Sequence, residues 1–246
     1  MLINVVLALM IIGSFLVAII IHESGHALAA SLLGDPTPRS ERRLSLSLPA
    51  HLDPVGTLMC VLLAFFPITA ASNAGLGWGK PVKVDPWKLR GGPNGGTLLV
   101  SLAGILTSLV VGLLFAVLLR FMPLTLLNNA YTPRVLQLVA VFACTNICLA
   151  IFNLVPLYPL DGYQILYSLL PSRQAVSFAR SAQYGQFIIL AIVFLLPFLG
   201  QLSGLGGLFI FHIPSYILLG SFNLVGLASG FPATGFLLSI SAFYFL

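Results

Sequence analysis

Near the start of the chain, His22-Glu23-Ser24-Gly25-His26 sets two imidazoles and a carboxylate within five consecutive positions. The pattern is H-E-x-x-H. On a helix, residues four apart share a face, so both imidazoles can reach one zinc ion while Glu23, one position round, can take a proton from a water held there. Metal-assisted hydrolysis is the chemistry this spacing suits. The competing reading is a pair of packing histidines at a helix end beside a solvated glutamate. Against it, the motif lies only one or two turns beyond the middle of an apolar run from Leu2 to about Leu33, where an unpaired carboxylate costs roughly 2.5–3.5 kcal/mol.

Catalytic zinc takes three protein ligands and leaves a fourth position to water. The remaining candidates are His51, His212, Asp35, Glu41, Asp53, Asp85 and Asp161. Asp161 stands apart because it ends the stretch NLVPLYPLDG, Asn153 to Gly162, just beyond an apolar span. Pro156 and Pro159 must break a helix there, and Gly162 allows a sharp turn. A helix broken at membrane depth leaves backbone groups open to a ligand. His212, before Pro214, reads as a packing or interfacial histidine, while His51 and Asp53 read as turn formers.

The elements that must position these residues are membrane helices. Of 246 residues, 59% are hydrophobic and 7% charged, and the mean hydropathy is +1.06, far from a soluble domain of this length. The expected architecture is an all-α polytopic protein in a lipid bilayer, a single domain over 1–246. Its catalytic core covers about 1–170 and its C-terminal helices about 184–246. Apolar segments of spanning length are Leu2 to about Leu33, Gly95–Leu119, Val135–Leu157, Tyr184–Leu199 and Leu205–Leu227. Phe231–Leu246 is short for a sixth, so five to six spans are expected. Gly104 and Ser108 form a small-xxx-small pair suited to close helix packing. Cys60, Cys144 and Cys148 lie in apolar runs and read as packing residues. Ala27-Leu28-Ala29 resembles a signal-peptide cleavage site, but no basic residue precedes the run, while Arg39, Arg42 and Arg43 follow it. That charge order favours a retained helix with its N-terminus outside the cytoplasm.

A small re-entrant β or hairpin region is expected between the first two spans. Arg42–Leu48 (RRLSLSL) and Lys80–Pro86 (KPVKVDP) alternate polar and apolar residues and read as strands. Pro54–Gly77, interrupted by Pro67 and by Ser72-Asn73-Ala74-Gly75, is either a full span or a hairpin.

H-E-x-x-H in an early apolar helix, followed by N-x-x-P-x-x-x-L-D-G in a later one, resembles the site-2 protease family of intramembrane zinc metalloproteases, in its compact form without PDZ or CBS domains. Both motifs are intact, as His22, Glu23 and His26, then Asn153, Pro156, Leu160, Asp161 and Gly162. HLDPVGTL (His51–Leu58) and GWGKPVKVDP (Gly77–Pro86) are also similar to segments of compact bacterial members. The likeness covers about residues 1–170. It implies that His22, His26 and Asp161 hold zinc, that Glu23 is the general base, and that Asn153 helps seat the substrate. One departure is Ala103-Gly104-Ile105-Leu106-Thr107-Ser108, where members usually show A-G-P-x-x-N. It is expected to leave the zinc ligands untouched and to bear on the shape of the substrate channel.

If Asp161 joins His22 and His26 at one ion, an even number of crossings separates them. The spans at Gly95–Leu119 and Val135–Leu157 supply two, so Pro54–Gly77 is expected to be a hairpin or a surface segment. Charge gives the same answer independently. With a hairpin, Arg39, Arg42, Arg43, Lys80, Lys83, Lys88, Arg90, Arg173 and Arg180 share the site's side, against Arg120 and Arg134. With a single crossing the basic residues divide almost evenly. The positive-inside rule prefers the first arrangement and makes the site's side cytoplasmic. The basic residues thus report topology rather than a nucleic-acid surface.

The function expected is a zinc-dependent intramembrane endopeptidase acting on a single-pass membrane protein of the cell membrane. Its rivals are a divalent-metal transporter and a catalytically inactive relative that binds membrane proteins. Transport usually needs polar groups spread along a path, whereas the ionisable residues inside these spans reduce to the Glu23 cluster, with Asp161 at a span's end.

Overall fold

The computed structural model describes residues 5–45, 47–65, 76–122, 132–204 and 207–230. In chain order the α-helices are α1 (Val5–Leu32), α2 (Thr37–Ser40), α3 (Leu48–His51), α4 (Pro54–Phe65), α5 (Gly92–Arg120), α6 (Thr132–Phe152), α7 (Asp161–Leu169), α8 (Ser172–Ala179), α9 (Ala182–Leu190), α10 (Leu196–Ser203) and α11 (Ile213–Ser229). A π turn, Ala191–Leu195, fuses α9 to α10. Among the described residues, five helical segments are long and apolar enough to cross a membrane: α1, α5, α6, the α9–α10 unit and Phe209–Ser229. Phe231–Leu246, the short apolar stretch that left the expected count at five or six, lies outside the described residues.

The inner face of α1 carries Leu7, Ile11, Phe15, Ala18, Ile19, His22, Gly25, His26 and Ala30, all buried. These recur every three or four positions, so the stripe that packs the helix also delivers both histidines inward. Val5, Leu9, Val17, Leu28 and Leu32 face outward, as lipid-facing positions should. The helix ends at Gly34, whose φ of +106° suits a glycine, followed by Pro36.

Helices α1, α5 and α6 pack on one another, and α11 lies against α5 and α6. Small residues set the spacing. A side chain at Gly25 would meet Thr107 and Ala103 of α5, and one at Gly112 would meet Ile147 and Ala143 of α6. Cys60, Cys144 and Cys148 are buried free thiols within the apolar clusters, in keeping with a packing role.

The two expected strands are a correction. No strand forms among the described residues. Residues 41–45 are turns leading to α3, with Arg42 at φ 57°, and Leu46 lies outside the described residues. Residues 80–85 are extended but have no ladder, and a 3-10 turn, Pro86–Lys88, follows. Alternating polarity reports a chain with one wet and one covered side. It does not require a neighbouring strand.

Among the described residues α4 covers 12 positions, about 18 Å of helix, beside a hydrocarbon core of about 30 Å. Leu52 and Gly79 form an isolated antiparallel bridge, Lys80 N–H donates to the His51 carbonyl at 2.8 Å, and Gly77 and Trp78 press on Gly56. Residues 51–56 and 77–80 therefore lie side by side. Residues 66–75, with Pro67 and Ser72–Gly75, lie outside the described residues, and the choice between full span and hairpin falls there.

Candidate metal centre

Helix α1 brings His22 and His26 to one point, and the break after α6 brings Asp161 to the same point. Gly162 N–H donates to the Asn153 carbonyl at 2.6 Å, folding the chain back onto the end of α6. A Cβ at Gly162 would collide with the Leu154 and Val155 carbonyls, so the turn accepts glycine alone. Asp161 thereby opens α7. His22 Nε2 lies 3.0 Å from Asp161 Oδ2, His26 Nε2 lies 3.1 Å from Asp161 Oδ1, and the two Nε2 atoms are 3.1 Å apart.

The donor set tests whether a cation belongs here. His26 Nδ1 donates to the Val100 carbonyl at 2.8 Å, so a neutral ring turns the bare lone pair of Nε2 toward Asp161 and His22. Acceptors this close repel one another. One divalent ion among them converts the repulsion into coordination, and ligand atoms at Zn–N distances of about 2.0–2.1 Å in a tetrahedron sit about 3.3 Å apart, close to the spacing seen. Asp161 Oδ2 and Glu23 Oε2 are buried without a hydrogen-bond partner. Among the described residues, His22, His26 and Asp161 are the group of such side chains able to share a metal.

Helix α5 supplies the outer support at positions four apart. Val100 accepts from His26, Gly104 lies flat against the His26 ring, and Ser108 Oγ is 3.0 Å from His22 Nδ1. Gly104 and Ser108 belong to the segment that the sequence reading expected to leave the zinc ligands untouched. The structure overturns that expectation, since both residues touch the histidines. Any side chain at 104 would enter the His26 ring, and the hydroxyl at 108 orients His22. The signal available in the sequence was the shared spacing of 100, 104 and 108, which places all three on one helix face.

Glu23 is buried beside the two histidines. A Cβ at Gly79 would lie 2.6 Å from its Oε1, so glycine lets the extended segment approach the carboxylate. Glu23, His26, Asp161 and Asn153 line one cavity of about 180 Å³, together with Trp78, Val82, Val84 and Gln164. Asn153 is buried and donates from Nδ2 to the Leu149 carbonyl at 2.9 Å.

The other acids and histidines lie elsewhere. Asp53 accepts from Val55 and Gly56 N–H at the start of α4, and His51 Nε2 pairs with the Ser45 carbonyl, so both serve turns. Asp35 binds Thr37 and Asp85 N–H. Asp85 accepts from Trp87 N–H, Glu41 pairs with Lys83, and His212 ends a 3-10 turn.

The model of Peptidase family M50 matches residues 123–196, a stretch that contains Asn153 to Gly162. YwhC of Bacillus subtilis (strain 168), named provisionally as a zinc metalloprotease, is 31% identical over 187 residues, which cover 75% of this chain and 79% of the relative. No solved structure matches the chain. Identity of that extent, together with the family-model match, makes this chain a member of Peptidase family M50, the site-2 protease family of membrane metalloproteases.

Proposed function

We propose that the protein is a zinc-dependent intramembrane endopeptidase that hydrolyses a peptide bond in or near the membrane segment of a single-pass protein. His22, His26 and Asp161 would hold the ion, which when bound supplies a Lewis acid able to acidify water and polarise a carbonyl. The observation that carries this reading is the convergence of three lone-pair donors, His22, His26 and Asp161, at one point, with the last two lining the same cavity as the buried Glu23 carboxylate. Glu23 takes the proton of the attacking water and passes it to the leaving amine. Its Oε2, without a partner, is available for that transfer. Asn153 lines the same cavity, and its side-chain oxygen would accept from a substrate backbone N–H.

A peptide bond inside a helix is shielded by its own hydrogen bonds, so the substrate must be unwound before it is cut. The extended residues 80–85 beside Glu23 offer it a partner by strand addition. Residues 41–45, being turns, do not. The Leu52–Gly79 bridge, which holds the two flanks of Pro54–Gly77 together, supports reading that region as a hairpin on the site's side. The positive-inside rule puts the site toward the cytoplasm of the cell membrane, with the N-terminus outside.

The test is cleavage of a co-reconstituted single-pass substrate in liposomes, paired with the metal content of the purified protein. Glu23→Gln is expected to lower the rate by about 10²–10⁴-fold while zinc stays bound. Undiminished cleavage by this variant, or by the metal-stripped wild type, would overturn the proposal. Metal uptake into the liposomes would instead favour a transporter.

A further inference from the structure

Outside the metal centre, two charged side chains on the site's side are covered almost completely, Asp35 with no exposed surface and Arg43 at 3%. Neither is chiefly engaged with an opposite charge. Arg43 Nη1 donates to the carbonyls of Ala50 at 2.6 Å and Lys80 at 2.9 Å, and Nη2 donates to that of Pro81 at 3.0 Å, whereas Glu41 is 3.8 Å from its Nε. Asp35 accepts from Thr37 N–H and Oγ1 through Oδ1, and from Asp85 N–H at 2.7 Å through Oδ2. The two residues thus grip opposite ends of one extended segment, from 37 and 50 positions away in sequence.

That segment has little else to fix it. Among the described residues, no backbone–backbone hydrogen bond involves residues 81–84. Its covered side forms a wall of the cavity through Val82 and Val84, and Gly79 just before it abuts Glu23. The turn carrying Arg43 passes through Arg42 at φ 57°, a conformation unfavourable for a residue with a Cβ that persists only where its surroundings hold it. A guanidinium presents several donors in a rigid plane and can bind successive carbonyls. An ammonium offers one point.

We propose that Arg43 and Asp35 are positioning residues, a two-point clamp that fixes the backbone of residues 80–85 beside Glu23 and presents it, already extended, to the substrate. The proposal rests on the protease reading for its consequence and on the clamp's own bonds for its structure. Loosening either grip leaves the metal ligands in place and makes the substrate order the wall as it binds, so the cost falls on substrate binding rather than on the chemical step.

The experiment compares full-length wild type, Arg43→Lys and Asp35→Asn in liposomes, reading initial rates over a range of substrate, zinc per chain, and amide hydrogen exchange of residues 79–88 against that of α1 and α5. Expected are a rise in KM of about tenfold with kcat within about threefold, unchanged zinc, and faster exchange confined to the segment. Unchanged KM and unchanged exchange in both variants overturn the clamp, as does a fall in kcat accompanied by zinc loss in both, which marks general unfolding. Should Arg43→Lys alone lose zinc, Asp35→Asn at the other end decides the matter. A wild type that cleaves no membrane substrate counts against the protease reading, and the exchange measurement still decides the clamp.

Discussion

The bundle of α1, α5 and α6 and the layer formed by residues 33–52 and 79–91 hold their shapes by different means. In the bundle, backbone groups are satisfied within helices and position is set by apolar stripes and by glycines at close approaches, such as Gly25, Gly104 and Gly112. In the layer there is one bridge and no ladder among the described residues, and a few polar side chains, Asp35, Arg43, His51 and Asp53, bind backbone groups directly. Damage in the bundle should therefore reach the metal, and damage in the layer should reach the substrate.

Asp161→Ala is the harshest test of this division. It removes a ligand from the least local part of the site, and zinc content and cleavage should both fall to background while helix content stays constant. Retained stoichiometric zinc would remove Asp161 from the ligand set. Next is Gly104→Ala, whose methyl would enter the His26 ring. It should cost most of the bound zinc, whereas Gly95→Ala, with open space around its Cβ, should be neutral or stabilising by up to about 1 kcal/mol. Equal behaviour of the two variants in a zinc titration would argue against packing as the cause.

Ser108→Ala should weaken zinc affinity by about 10–100-fold, with Ser108→Thr restoring part of the loss, as read by competition with a chelator. The smallest effect belongs to the layer. Burial pushes the Asp35 carboxyl up, but hydrogen bonds from Thr37 and Asp85 and the charge of Lys88 outweigh it and lower its pKa from 3.8. Its stabilisation is then complete above that value and is lost as pH falls through the depressed folded value. The thermal midpoint of Asp35→Asn should lie below that of the wild type near neutral pH, and the gap should close in acid. A gap independent of pH would contradict the assigned charge.

The metal centre was largely legible in sequence because its parts are local. Two histidines four apart on an apolar stripe, and an acid after a proline-broken helix, each carry their geometry in their spacing. The spacing of Val100, Gly104 and Ser108 places them on one helix face but does not say what that face meets, since the bonds of Ser108 and Val100 to His22 and His26 span 86 and 74 positions and a serine in a membrane helix ordinarily bonds its own backbone. The layer was misread for a different reason. Residues 80–85 are extended as their alternation implied, but the missing ladder is replaced by Arg43 and Asp35, whose charge said only that they lie near water. The Arg42–Leu48 alternation failed because the chain turns at Arg42 to bury its neighbour.

The position of the histidines along α1 has a mechanical consequence for whatever is cut. His26 and His22 precede Leu32, the end of the helix, by six and ten residues, about 9 and 15 Å along the axis. A polypeptide stretched at about 3.3 Å per residue covers that depth in roughly three to five residues. On the proposed function a client helix would have to fray by at least one turn before its bond arrives, so clients whose ends carry glycine or β-branched residues, which give up helical structure most cheaply, should be processed fastest.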